Sequence, residues 1–140
     1  VSHFGAKLVV LTDMARQIPL LRRNAAANSS GEVHVEELDW TIEEQRSGLP
    51  EWRGSWSLIV GSDVGYDPDL FEPLLRTLLA QSSLATNILL ALADREEDDE
   101  PNVEDFMTAA APYFEASVVF ERRAEPHQSL TKVVQLRKRL

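Results

Sequence analysis

Two spacings of apolar residues alternate along this chain. Short runs rich in β-branched residues and leucine, bounded by turn formers, are predicted to be buried strands. They cover Lys7–Asp13, Glu32–Leu38, Trp56–Gly61, Thr86–Ala93, Ala116–Glu121 and Ser129–Leu136. Between them the apolar period lengthens to that of a helix. In a predicted helix from Met14 to Asn28, Met14, Ile18, Leu21 and Ala25 fall on one face, with Arg16, Arg22 and Arg23 elsewhere. Pro19 lies in its first turns, where its cost is limited. Asn28-Ser29-Ser30-Gly31 reads as its C-cap and turn. Asp67 as N-cap and Pro68 at the first helical position open a second helix running through Ser82, with Leu70, Leu74, Leu75 and Leu78 inward. A third is predicted over Val103–Tyr113, with Phe106, Ala110 and Tyr113 inward. Thr41–Ser55 reads as a polar loop able to carry a short turn of helix, and Arg95–Asn102 as an acidic loop. Strands alternating with helices predict an α/β fold with a mainly parallel sheet, in one domain spanning residues 1–140.

Three of the strands end in an acid: Thr12-Asp13, Leu38-Asp39-Trp40 and Ser62-Asp63. In open α/β sheets, ligands bind outside the carboxyl ends of the strands. The three carboxylates are therefore expected to line one crevice.

Charge and composition narrow the partners. A formal net charge of −9 argues against a broad nucleic-acid surface and leaves room for a basic partner. With no cysteine, disulfides, thiol nucleophiles and cysteine-ligated zinc are excluded, which fits a reducing compartment. The cytoplasm is expected, with the nucleus as the alternative. No apolar stretch approaches membrane-spanning length and no leader is evident, so no membrane association is expected. His3, His34 and His127 share no metal-ligand spacing, and no metal is assigned. The chain opens on Val1 and enters its first apolar run almost at once, so a preceding segment is expected.

The order of motifs carries a resemblance. A strand ending in Thr12-Asp13 is followed by a helix holding Asn24 and Asn28, then Leu38-Asp39-Trp40, then Ser62-Asp63-Val64-Gly65-Tyr66. From Gly5 to about Arg95 this is similar to the seven-β-strand methyltransferases that use S-adenosylmethionine, and within them to family 16, the protein-lysine methyltransferase-like branch. The resemblance implies a Rossmann-like three-layer sandwich without its first strand. It also implies S-adenosylmethionine as cofactor and S-adenosylhomocysteine as product. In this family a glycine-rich turn follows the first strand, whereas the glycines here, at positions 5, 31, 48, 54, 61 and 65, form no such pattern. The first strand sits between the second and fourth in that class. Its absence predicts unpaired central edges, to be closed by an N-terminal segment, by direct pairing of the two strands, or by self-association.

The resemblance assigns cofactor-binding roles to Asp13, Leu38, Asp39 and Trp40, and catalytic roles to Asp63 and Tyr66. Asp13 would accept hydrogen bonds from the ribose hydroxyls; alternatively it is a helix N-cap. Asp39 would accept from the adenine amino group with Trp40 walling the base; alternatively they are a strand-ending acid and a core indole. Trp52 and Trp56 are read as packing residues. Asp63 would orient a lysine amine with Tyr66 walling its channel; alternatively Asp63 and Asp67 form turn bonds. The family has glycine where Thr41 stands, an apolar residue at Gly65, and commonly Asp at Ser57. The acidic run Arg95–Glu100 is read as a solvated loop, or else as a docking element for a basic protein substrate. The expected activity is methyl transfer to protein lysine. A non-catalytic binding or regulatory module is the alternative, and a small-molecule methyltransferase would share the cofactor site.

Overall fold

Pro19 decides how the first helix begins. It has no N–H to donate, and its ring crowds the carbonyl four residues earlier. The predicted single helix therefore starts as a 3-10 turn at Ala15–Gln17 and becomes α-helical only as α1 (Ile18–Asn28). The computed structural model describes residues 5–28, 31–46, 56–94, 102–123 and 130–140. By its contacts the chain divides into two compact units, Val1–Gly48 and Leu49–Leu140.

In the first unit, β1 (Leu8–Asp13) and β2 (Glu32–Glu37) pair in parallel, in register from Leu8 opposite Glu32 to Asp13 opposite Glu37. Parallel neighbours need a crossover, and α1 supplies it, packing on both strands. Among the described residues of this unit Ile18 and Leu38 are the buried apolar ones, while Met14, Leu21 and Ala25 are half-buried. Asn28 Nδ2 donates to the Asn24 carbonyl, one turn back in the same helix, at 2.9 Å. The short turn of helix expected after Thr41 is α2 (Glu43–Arg46), and residues 47–55, including Trp52, lie outside the described residues.

The second unit holds β3 (Leu58–Ser62), a 3-10 turn (Pro68–Leu70), α3 (Phe71–Gln81), β4 (Asn87–Asp94), α4 (Val103–Ala110), β5 (Phe114–Arg123) and β6 (Leu130–Lys138). Its sheet order is β3-β4-β6-β5. Only β3–β4 is parallel; β4–β6 and β6–β5 are antiparallel, so the mainly parallel sheet expected from sequence is a mixed one. The cause is connection length: residues 124–129 are too few for a crossover. The strand β1 belongs to the sheet of the first unit and β3 to that of the second.

One face of the second sheet, with Ile88, Leu90, Leu92, Val134 and Leu136, is buried. The helices close over the same core, where Phe71 of α3 meets Phe106 of α4 edge to face with ring centroids 5.2 Å apart. On the opposite face Leu58 and Val60 are exposed. Asp67 caps its 3-10 turn as expected, accepting from the Asp69 N–H at 3.0 Å. A capping box between Asn102 and Asp105 starts α4. That helix ends at Ala110 instead of Tyr113, because Pro112 has no N–H and the chain tightens into a turn. Tyr113 is accordingly half-exposed, and its hydroxyl donates to Glu72 Oε1 at 2.8 Å. That bond holds the phenol proton more firmly than usual. Lys138, read as part of a basic tail, instead donates to the carbonyls of Leu79 and Ser82 at the end of α3. Residues 95–101 of the predicted acidic loop lie outside the described residues. No helix among the described residues is long and apolar enough to cross a membrane.

Candidate functional site

The ladder between β1 and β2 continues past its last residue pair. The Leu38 N–H donates to the Asp13 carbonyl at 2.9 Å, which delivers Asp39 to the carboxyl end of β1. Leu38 itself is buried, so its own contribution is to hold that geometry. Asp13 is exposed, and its Oδ1 accepts from the Met14 N–H at 2.8 Å. It does not cap the following turn in the ordinary way: Met14 occupies the N-cap position and makes no side-chain cap bond.

Asp39 is held on three sides. Its N–H donates to Gln45 Oε1 at 2.7 Å, and Gln45 Nε2 donates to Glu37 Oε1 at 3.0 Å. Its Oδ1 accepts from both the N–H and the hydroxyl of Thr41, at 2.9 and 2.6 Å. This is an Asx turn reinforced by a hydroxyl. The Thr41 hydroxyl, then the Thr41 N–H, hold the Asp39 carboxyl below its ordinary value against a small opposing desolvation, and Arg16 adds a weaker pull in the same direction. Trp40, the next residue, is half-buried. Thr41 and Gln45 were not foreseen as site residues, although the Asp-x-Thr spacing was a signal for the turn.

Thr41→Val keeps the shape and removes the hydroxyl. The Asp39 pKa is expected to rise toward the ordinary carboxylate value, as read by NMR titration of its carboxyl carbon; an unmoved titration would refute the assigned cause. The sign for stability follows. A folded pKa below the unfolded one favours the folded state above the unfolded value, and that contribution is lost as pH falls through the folded one.

In the second unit, the Asp63 N–H donates to the Ala91 carbonyl at 2.9 Å, so the β3–β4 ladder also runs one residue past its strand. Asp63 has φ +55°, a left-handed conformation uncommon for a residue with a side chain and tolerated best by Asn and Asp. Its carboxylate is exposed and makes no hydrogen bond among the described residues. The segment around it lies tight against β4. A Cβ on Gly61 would stand 2.9 Å from Leu90 Cδ2, and one on Gly65 would stand 3.1 Å from Leu92 Cδ2. That approach is a physical reason for glycine at position 65. Tyr66 is 48% exposed. Of the two acids read as turn formers, Asp67 is one and Asp63 is not. The structure thus gathers Asp13, Leu38, Asp39 and Trp40 at the carboxyl end of the β1–β2 pair, and Asp63 with Tyr66 at the carboxyl end of β3.

Comparison with known proteins bears on this arrangement. No curated protein sequence matches significantly. Among solved structures, one described as converting a disulfide bond into a thioacetal group during echinomycin biosynthesis aligns with TM-score 0.72 at 12% identity, over 98% of this chain and 68% of its own. PigF with S-adenosylhomocysteine aligns with TM-score 0.67 at 14% identity, over 99% of this chain and 50% of its own. An S-adenosylmethionine-dependent methyltransferase from Methanosarcina mazei aligns with TM-score 0.64 at 12% identity, over 95% of this chain and 82% of its own. At such identities these likenesses establish the Rossmann-like methyltransferase fold. A family model described as lysine methyltransferase, methyltransferase family 16, matches residues 2–110. Over more than half its length, therefore, the chain belongs to the family 16 lysine methyltransferases.

Proposed function

We propose that this chain carries the nucleoside-holding and acceptor-orienting elements of an S-adenosylmethionine-dependent methyltransferase that acts on protein lysine. The observation that carries the reading is the pair of acids at the carboxyl ends of β1 and β2. Each uses one carboxylate oxygen in its own turn, and the other makes no hydrogen bond among the described residues. The donor set fits the cofactor: two acceptors on adjacent strands suit a ribose and an adenine amino group, and Trp40 supplies an aromatic wall. The Thr41 hydroxyl and N–H favour the ionised form of Asp39, and a carboxylate is a stronger acceptor than a neutral carboxyl.

When bound, S-adenosylmethionine supplies an electrophilic methyl group on a sulfonium, and the N–C bond forms as the C–S bond breaks, leaving S-adenosylhomocysteine. The protein's task is alignment. Asp63 attracts and orients the lysine ammonium, with Tyr66 beside it. A carboxylate raises the pKa of an ammonium, so Asp63 serves docking and the proton leaves to solvent. A basic acceptor segment suits the acidic chain. A second reading, a binding module without catalysis, draws on Asp39 Oδ1 being engaged twice within its own turn, by the N–H and the hydroxyl of Thr41.

Calorimetric titration of S-adenosylhomocysteine into the full-length protein separates the two. Asp13→Ala is expected to weaken binding by about ten- to a hundredfold, the worth of charge-assisted bonds to two hydroxyls. Absence of binding by the unsubstituted protein would remove the enzyme reading and leave the module.

A further inference from the structure

Among the described residues the outer edge of the second sheet is β5, ten residues long and paired on one side only, with β6. At its centre three consecutive large apolar residues are exposed: Val118 at 41%, Val119 at 51% and Phe120 at 56%. An exposed apolar edge of that length is a template for pairing with another strand. We propose that β5 pairs antiparallel, across a two-fold axis, with β5 of a second copy of this chain.

Register and charge select that occupant. In an unbroken strand the outward-facing backbone groups recur at every second residue, so a two-fold axis can set only residues of like parity opposite each other. Here β5 has a bulge: Val118 faces Val134 and Phe120 faces Val133 on β6, leaving Val119 as the extra residue. The bulge reverses parity in the second half of the strand. It therefore permits the register that overlaps all ten residues, in which Val118 faces the partner's Val119 and Phe114 faces the partner's Arg123. In the same register Glu115 lies opposite the partner's Arg122, and symmetry repeats the pair. Both residues are exposed, and both lie on the face away from the helices, because Glu115 sits opposite Arg137 and Arg122 opposite Thr131 on β6. Ser117 meets the partner's Phe120 on that face. The strand is thus complementary to itself in charge and in side-chain direction.

Sedimentation velocity of the full chain over a range of concentrations tests this, with circular dichroism checking that each variant is folded. A concentration-dependent dimer is expected, weakened about tenfold by Glu115→Arg or by Arg122→Glu, each of which turns two attractive pairs repulsive. The double variant Glu115→Arg/Arg122→Glu is expected to restore it. A monomer at every concentration would overturn the proposal. So would a dimer indifferent to both reversals, or a double variant that fails to recover.

Discussion

Asp63→Asn is expected to lower kcat/KM for the protein acceptor about a hundredfold, chiefly through KM, while leaving affinity for S-adenosylhomocysteine nearly unchanged. Asparagine is the informative replacement. Asp63 sits at φ +55°, and among residues with side chains Asn accepts that conformation about as readily as Asp. Alanine there would add backbone strain of order 1 kcal/mol and confuse a lost charge with a displaced loop. The Asp63 N–H bond to Ala91 is retained by Asn, so the ladder that places the side chain survives. What is lost is the attraction between a carboxylate and the acceptor ammonium, an interaction made at the reacting end and absent from the nucleoside. Label transfer from S-adenosylmethionine to protein acceptor, beside calorimetry with the product, reads both quantities. A variant with unchanged kcat/KM for the protein acceptor would remove Asp63 from the acceptor site, and one that loses product binding instead would place it on the cofactor.

The parts of the fold that were legible in sequence are those where local chemistry decides alone. Asp67-Pro68 opens its helix because a carboxylate can take an orphan N–H and Pro needs none there. The alternation Ile88, Leu90, Leu92 places one face of β4 in the core. Strand ends were equally readable, since an acid after a β-branched run has no buried partner to accept. What sequence hid depends on long-range geometry or on a proline's missing N–H. Pro19 and Pro112 each fell inside a periodic pattern, and the apolar spacing was blind to the bonds they remove. The direction of β6 rests on connection length and pairing, neither of which side-chain period reports. Lys138 resembled a solvated tail because its two acceptors, on α3, are far away in sequence. At the candidate site, Asp13, Asp39 and Asp63 were visible as strand-end acids. Thr41 was noted only as a departure from glycine, although its hydroxyl is what ties Asp39 down.

Phe106→Ala is expected to destabilise the second unit by about 3–5 kcal/mol, seen as a large fall in the urea midpoint. Phe106 is fully buried and stands edge-on to Phe71, so truncation leaves a ring-sized void between two helices and the sheet. A domain whose whole stability is about 5–15 kcal/mol would be brought near its threshold. Tyr113→Phe is the contrasting control: it removes one hydroxyl bond to an exposed carboxylate, and surface changes of that kind fall within about 0.5 kcal/mol. A Phe106→Ala loss as small as that control would mean the helices do not close over this core. The consequence reaches the proposed acceptor site. Asp63 hangs from Ala91 on β4, and the chain beside it rests on Leu90 and Leu92, which are buried in the same core as Phe106. A loosened core therefore releases Asp63 and Tyr66 together. Methyl transfer by Phe106→Ala should then fall further than its folded fraction accounts for, whereas Tyr113→Phe should retain full activity.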